Sequence, residues 1–238
     1  MENNDEIKTD VSQTETDSTE GHVPSLAANW PSLTLAERKE QFAALTRTDA
    51  EDLFFSLSAH DQSDLLLEAS APERRSWVRL LAPDDVADLI QEMGVEHRDA
   101  ILTLLDPQTR REVTALLAYA EDNAGGLMSS RFVRLRPEMS VDEAISYLRI
   151  QAKTQVETIY YCYVLDHDQK LLGVFSFREL FSSSPGKSVT DIMHTDIVRI
   201  SVDLDQEKVA QIFHQHSLLA MPVVDDEGRM KGIVTLDD

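Results

Sequence analysis

The 238-residue chain carries 43 Asp and Glu residues against 22 Lys and Arg, giving a formal net charge of −21. Such a surface repels phosphate backbones and anionic headgroups, so the composition argues against binding to nucleic acid or to a membrane surface and favours cations. The single cysteine, Cys162, excludes a disulfide within one chain. No run approaches the roughly 18 apolar residues of a membrane helix, and the N-terminus lacks a signal pattern. We therefore expect a soluble cytoplasmic chain.

The first 25 residues are predicted to be a disordered acidic tail. They contain seven acids and one lysine, and Ser, Thr and Asn make up most of the remainder. Because so polar a segment buries too little apolar surface to offset the entropy of ordering, we expect no stable structure there.

A twelve-residue apolar repeat occupies the next part of the chain. Its first position holds Leu33, Leu45, Leu57, Ala69, Leu81, Met93, Leu105 and Leu117. Eight positions into each unit from Leu45 onward stands a second apolar residue: Leu53, Leu65, Trp77, Leu89, Ile101 and Val113. The turns between units place Pro72, Pro83 and Pro107 where helices begin. The pattern predicts a domain of short, mutually stacked helices over residues 26–121, called here the helical domain.

A longer repeat follows the sequence Glu121–Gly126. Residues 126–148 and 191–213 share the same succession of apolar and polar positions at an offset of 65. Each copy continues with two apolar runs, and in the second copy the runs flank the turn Asp225–Gly228. We predict two modules of strand, helix, strand, strand and helix: module 1 over 122–186 and module 2 over 187–238.

The two modules end in similar sequences, Gly173-Val-Phe-Ser-Phe-Arg-Glu179 and Gly232-Ile-Val-Thr-Leu-Asp-Asp238. A tandem β-α-β-β-α repeat with such endings resembles a CBS pair, or Bateman module. The preceding helical repeat, the stretch Leu81–Leu89 and the bridge Asp122–Met128 resemble the N domain and junction of MgtE magnesium channels. The resemblance covers roughly residues 30–238. It implies a multidomain α plus α/β protein: an N-terminal superhelix of short helices followed by the CBS pair.

The resemblance also implies elements beyond Asp238. That residue stands where the closing helix of module 2 should begin, so we expect module 2 to be truncated before its last helix. In the family that helix leads to a dimeric membrane pore. The chain is accordingly expected at the cytoplasmic face of the membrane, as a homodimer through its CBS domains, with its own transmembrane domain as a partner.

Candidate metal ligands lie on one predicted helix face. Asp84, Asp88 and Glu92 are spaced at i, i+4 and i+8, and spacing alone favours a solvated helix face. Mg2+ prefers oxygen ligands and needs only one or two carboxylates. In the MgtE family, acids matching Asp84, Asp88 and Asp238 share Mg2+ between the N domain and the second CBS module.

Two further acids, Asp205 and Glu207, begin the first helix of module 2. Acids are common at a helix N-terminus, whereas the family uses acids here as additional divalent ligands. The family also carries an acid shortly before Pro222, where this chain has Ser217. A site that depends on that acid is not expected here.

The resemblance implies ATP as a second ligand. Family members that bind ATP use residues matching Tyr161, Arg178 and Glu179, with the acid bonding the ribose hydroxyls. Glu179 stands where Asp is more usual. From the residues alone, Tyr161 is equally a core side chain and Arg178 a surface charge.

No pattern of catalytic residues is present, so we predict that the chain is not an enzyme. His214 and His216 lie two positions apart, on different faces of a helix, and Cys162 in an apolar run is expected to be an inert buried thiol. The resulting prediction is a cytosolic Mg2+-sensing region that closes a magnesium pore when intracellular Mg2+ is high. The alternatives are a free-standing CBS-pair sensor of adenine nucleotides that regulates a partner protein, and a helical scaffold whose acids only solvate it.

Overall fold

The computed structural model describes residues 22–151, 160–184 and 186–236. The predicted tail lies outside the described residues up to position 21, and residues 22–25 belong to a helix. The chain divides into two compact units, residues 1–58 and 59–238. In the described residues, no helix has the length and apolar character needed to cross a membrane.

The described part of the first unit, from residue 22 onward, contains three α-helices around Trp30. They are α1 (His22–Asn29), α2 (Leu35–Ala44) and α3 (Arg47–Ser56), with a 3-10 turn at Trp30–Ser32. The Trp30 side chain is buried, as are Leu53 and Phe54 of α3. The guanidinium of Arg38 lies 5.6 Å from the centroid of the Trp30 ring, and its Nε donates to the Trp30 carbonyl oxygen at 3.1 Å. Cation–π contact and hydrogen bond together fix the turn on α2.

Five short helices of the second unit continue the twelve-residue repeat. They are α4 (Ala59–Glu68), α5 (Ala71–Val78), α6 (Pro83–Met93), α7 (Val95–Leu102) and α8 (Pro107–Leu116). The second apolar position of each repeat is buried in every one of them, at Leu65, Trp77, Leu89, Ile101 and Val113. The first position falls at or just beyond the helix end, as Met93 does in α6 and Leu117 after α8. The repeat therefore marks where each helix stops and which residue anchors it.

Local sequence signals explain where these helices begin. Pro72, Pro83 and Pro107 each occupy the first turn of a helix, where a missing N–H is tolerated. The Asp106 carboxylate accepts hydrogen bonds from the amides of Gln108 and Thr109, which caps α8. The predicted stack of short helices is confirmed.

The remainder of the second unit contains a short helix, α9 (Ala124–Leu127), and two three-stranded sheets. Module 1 comprises β1 (Val133–Leu135), α10 (Val141–Gln151), β2 (Tyr161–Leu165), β3 (Leu171–Ser176) and α11 (Phe177–Ser182). Module 2 comprises β4 (Ile200–Ser201), α12 (Gln206–His216), β5 (Ala220–Val224) and β6 (Met230–Thr235). In both modules the first strand is parallel to the second, which is antiparallel to the third. The predicted order of elements is confirmed over the described residues.

The two modules exchange contacts reciprocally. The segment before β1 pairs with module 2, where Ser129 bridges Ile233, and the segment before β4 pairs with module 1, where His194 bridges Val174. Ser129 and His194 are equivalent residues, 65 positions apart. An apolar cluster closes the interface between the sheets: Phe132, Tyr163, Leu165 and Leu171 from module 1 and Val224, Met230 and Ile233 from module 2.

Close backbone approach at this crossover requires glycine. A Cβ atom on Gly232 would lie 2.6 Å from the carbonyl oxygen of Ser129. At the equivalent crossover a Cβ on Gly173 would collide with the side chain of Met193. A Cβ is excluded at both positions. Glycine in the last strand of each module therefore lets the backbone segment that precedes the first strand of the other module pack directly against it.

Candidate functional site

The first candidate site is built around the N-terminus of α6. Asp84 lies in the first turn of this helix and is 7% exposed, so the interpretation of these acids as a solvated helix face is wrong for Asp84. Its Oδ1 accepts a hydrogen bond from the hydroxyl of Ser129 at 3.3 Å. Asp88, one turn further along, is exposed. The fold therefore presses one carboxylate of the predicted pair against the start of module 1 and leaves the other open to solvent.

The helical domain contacts module 1 at a second point. Arg131 Nε lies 3.5 Å from Glu112 Oε2 of α8, and the two side chains are only 16% and 24% exposed. The linker, which is the segment after α8 that contains α9 (Ala124–Leu127), adds main-chain hydrogen bonds to module 2. The amide of Ala124 donates to the carbonyl of Leu204 at 2.7 Å, and the amide of Gly125 donates to the carbonyl of Val202 at 2.8 Å. These contacts join α8 and the linker to the CBS pair through protein groups alone.

The other predicted ligands lie beside the linker or outside the described residues. Asp205 caps α12, since its carboxylate accepts a hydrogen bond from the amide of Glu207 at 2.9 Å. The next residue, Gln206, donates its amide to the main-chain carbonyl of Asp122. Glu207 is exposed. Asp238 lies outside the described residues, beyond the end of β6 at Thr235. Within the described ranges, no three His, Cys, Asp or Glu side chains form a group that would hold a metal ion.

The residues present nevertheless fit Mg2+ as a ligand. Asp84 and Asp88 offer hard oxygen donors one helical turn apart in the first two turns of α6. Mg2+ commonly keeps several waters, so two carboxylates meet its requirement. Asp84, Asp88, Asp238, Asp205 and Glu207 remain predicted ligands.

The second candidate site lies where β3 of module 1 meets α11. Tyr161 pairs with Ser176 in the sheet, and Arg178 and Glu179 follow in the first turn of α11. The fold thus brings the three predicted nucleotide residues to one end of the β2–β3 hairpin. Tyr161 is half-buried and Arg178 is exposed.

The Glu179 carboxylate is already engaged by its surroundings. Its Oε2 accepts from the Ser176 amide at 2.7 Å and the Ser176 hydroxyl at 2.8 Å, which forms a capping box. Its Oε1 lies 2.6 Å from Nε2 of His194. Desolvation raises the pKa of Glu179, but the hydrogen bonds from His194 and Ser176 and the charge of His194 outweigh it and lower the pKa to about 2. Glu179 is therefore ionised throughout the physiological range.

Comparison with known protein families identifies both halves of the chain. Residues 21–122 match the MgtE intracellular N domain, and residues 124–186 and 189–238 match the CBS domain. A crystal structure of the cytosolic domain of the Mg2+ channel MgtE in complex with ATP superimposes with a TM-score of 0.81 at 38% sequence identity. That match covers 90% of this chain and 88% of the other.

The chain belongs to the MgtE family. It is 44% identical over 158 residues to the magnesium transporter MgtE of Thermus thermophilus, covering 65% of this chain and 35% of that protein. The MgtE of Bacillus subtilis is 32% identical over 155 residues, covering 65% of this chain and 34% of that protein. The chain thus spans about a third of the length of the curated relatives that it matches. The predicted fold class, a helical MgtE N domain followed by a CBS pair, is confirmed.

Two residues of the candidate sites were missed in the sequence. Ser129 contacts Asp84 and His194 contacts Glu179, yet neither belongs to a stretch that resembles the family's ligand residues. The signal that identifies them is the 65-residue offset, because each directly follows the methionine that opens its module, Met128 or Met193. The capping-box pattern Ser176-x-x-Glu179 is visible in the sequence and indicates the hydrogen bonds between Ser176 and Glu179, but it does not indicate the contact with His194.

Proposed function

We propose that the chain is the cytosolic Mg2+-sensing region of an MgtE-type magnesium transporter, which closes the pore when intracellular Mg2+ is high. The observation that carries the proposal is the burial of Asp84 against Ser129 of module 1. A buried carboxylate at the contact between the helical domain and the CBS pair makes that contact sensitive to cations. Because the chain belongs to the MgtE family, we take this cation to be Mg2+.

The electrostatic argument begins with the charge of the chain. At a formal net charge of −21, the acidic helical domain and the acidic CBS pair repel each other, and the docked arrangement of α6 carries the extra cost of desolvating Asp84. A divalent cation shared by Asp84, Asp88 and Asp238 offsets both penalties. Asp205 and Glu207 supply a second set of oxygen donors near the linker.

Mg2+ acts in this proposal by population shift. The ion favours the docked arrangement only to the extent that it binds that arrangement more tightly than the undocked one. The contact between Glu112 and Arg131 offsets part of the repulsion between the two acidic domains, so that Mg2+ has a smaller free-energy difference to overcome. In the whole protein the docked arrangement would hold the pore shut.

Two partners belong to the same proposal. The first is the protein's own transmembrane domain, and the second is another copy of the chain, bound through the CBS domains. Exposed apolar side chains on the module 1 helices, Ile150 of α10 and Phe181 of α11, are consistent with an interface there.

An adenine nucleotide is the second ligand that we propose, at Tyr161, Arg178 and Glu179. The ionised Glu179 carboxylate in the first turn of α11 is suited to accept hydrogen bonds from ribose hydroxyls. The MgtE cytosolic domain that this chain resembles was crystallised with ATP. The same cleft also supports the alternative of a free-standing adenine-nucleotide sensor, which predicts a response to ATP and none to Mg2+.

The Mg2+ proposal is tested by thermal unfolding with Mg2+ added at constant ionic strength. We expect Mg2+ to raise the midpoint by a few degrees in the parent chain, since a ligand that binds only the folded state stabilises it. Asp84→Asn/Asp88→Asn should abolish the increase. A matched control, Glu96→Gln/Asp99→Asn on α7, removes two exposed acids and should retain it. Equal responses in the parent and both variants would refute Asp84 and Asp88 as ligands.

A further inference from the structure

His194 is held in position by its main chain. Its amide donates to the Val174 carbonyl at 2.9 Å and its carbonyl accepts from the Val174 amide at 3.0 Å, so the residue is fixed on β3 as an added strand position. The preceding Met193 packs on Gly173. The imidazole of His194 is consequently aimed at the first turn of α11, where it reaches Glu179 at 2.6 Å.

His194 bonds the Glu179 carboxylate oxygen that the capping box with Ser176 does not use. Oε2 of Glu179 already accepts two hydrogen bonds from Ser176, whereas Oε1 is bonded by Nε2 of His194. A ribose diol recognised by Glu179 needs access to a carboxylate oxygen. At Oε1 a ribose hydroxyl therefore has to share the acceptor with the His194 imidazole.

We propose that His194 is a further residue of the nucleotide cleft: its imidazole competes with the ribose hydroxyls for the Glu179 carboxylate, and its protonation weakens nucleotide binding. This inference rests on the nucleotide site proposed above. It adds a residue that sets the affinity of that site and makes the affinity depend on pH.

The charges around the imidazole assign the pH dependence to His194. Strand β3 carries no titratable side chain, α11 contributes Arg178 and Glu179, and the adjoining end of β2 contributes Tyr161, preceded by Tyr160. The segment of His194 itself contributes Asp191 and Asp196.

Two of these neighbours, Glu179 and Asp191, are carboxylates whose pKa values hydrogen bonds lower. The pKa of Glu179 is about 2, and hydrogen bonds from the Ser188 amide and hydroxyl lower the pKa of Asp191. Imidazoles ordinarily take up a proton between about pH 5 and 8. Protonation of the His194 imidazole would make its contact with Glu179 an ion pair, which is the stronger competitor.

The position equivalent to His194 also contacts a carboxylate, although that acid comes from the helical domain and not from a CBS module. Ser129, the equivalent of His194, also contacts a carboxylate, that of Asp84. At Ser129 the partner comes from α6, and at His194 it comes from α11.

Calorimetric titration with adenosine and with ATP, at about pH 6, 7 and 8, tests the competition. Adenosine has no group that titrates in this range, and ATP is compared as the ratio of variant to parent at each pH. The variants are His194→Asn and His194→Gln, with His214→Asn on α12 as a matched exposed control. We expect the affinity of the parent chain and of His214→Asn to rise roughly three- to tenfold from pH 6 to pH 8, a shift equivalent to as much as one pKa unit. Both His194 variants should bind with little pH dependence and more tightly than the parent at pH 6.

Three results would overturn the inference in distinguishable ways. If the parent and the His194 variants bind with the same pH dependence, His194 does not compete, although the nucleotide site stands. If the parent binds ATP more tightly at pH 6 than at pH 8 while the variants do not, the imidazolium attracts phosphate instead of blocking ribose. If no chain binds adenosine or ATP at any pH, the nucleotide site itself is wrong.

Discussion

The carboxylate of Asp84 accepts a hydrogen bond from the hydroxyl of Ser129, although 45 residues separate them in the sequence. This bond links α6 of the helical domain to the segment that opens module 1 and pairs with β6 of module 2. Asp84 thus contacts the residue that joins the start of module 1 to module 2. That position makes the acid suitable for reporting the presence of a cation to the CBS pair.

The contact between Glu112 and Arg131 is predicted to stabilise the docked helices without metal. Arg131→Ala leaves the mostly buried Glu112 carboxylate without this partner and should lower the free energy of unfolding by about 1–3 kcal/mol. Urea denaturation in a chelating buffer measures the change. Arg75→Ala on α5 removes an exposed guanidinium and should cost less than about 0.5 kcal/mol. Equal losses in the two variants would show that the contact between α8 and module 1 contributes nothing specific.

The second position of the twelve-residue repeat is predicted to carry the stability of the helical stack. Leu89 is fully buried in α6, so Leu89→Ala should cost about 2–5 kcal/mol through lost burial and a residual cavity. Leu67 of α4 is 37% exposed and serves as a matched control, for which Leu67→Ala should cost clearly less. Chemical denaturation compares the two. A larger loss at Leu67 would contradict the assignment of the repeat.

Much of the fold follows from the sequence, and its long-range contacts do not. The repeat residues Trp77 and Leu89 indicate their own burial, because a twelve-residue period specifies one face of each short helix. The twelve-residue period does not indicate which part of the chain packs against the acidic start of α6. The burial of Asp84 and its hydrogen bond from Ser129 were therefore not predicted. Likewise, His194 looked like an ordinary polar residue, since its contact with Glu179 depends on the crossover of two modules.

Glu179 is predicted to stabilise the fold in its ionised form. Because its folded-state pKa is about 2 and its usual value is near 4.5, the stabilisation is fully present above about pH 4.5 and is lost as the pH falls towards 2. The difference in unfolding free energy between the parent and Glu179→Gln should thus shrink as the pH falls from about 4.5 towards 2. Urea titrations at each pH measure this difference. An unchanged difference at about pH 3 would contradict the ionised cap, and Glu207→Gln on α12 serves as an exposed control.

Cys162 is predicted to be unreactive in the folded chain. It is fully buried in β2, and desolvation raises its pKa to about 12, so at pH 8 only on the order of one thiol in ten thousand is ionised. A chromogenic disulfide reagent should label it slowly in native buffer and stoichiometrically in guanidinium. Rapid labelling of the native chain would place Cys162 outside the core of module 1.

The most direct test of the central claim is small-angle scattering during a Mg2+ titration at constant ionic strength. The parent chain, Asp84→Ala/Asp88→Ala and the control Glu96→Gln/Asp99→Asn would be measured from zero to several millimolar Mg2+. If Mg2+ favours docking of the acidic helices on the CBS pair, the radius of gyration should fall in the parent and the control and stay constant in Asp84→Ala/Asp88→Ala. A radius that does not change in the parent, or that falls equally in all three chains, would contradict a Mg2+ switch built on Asp84 and Asp88.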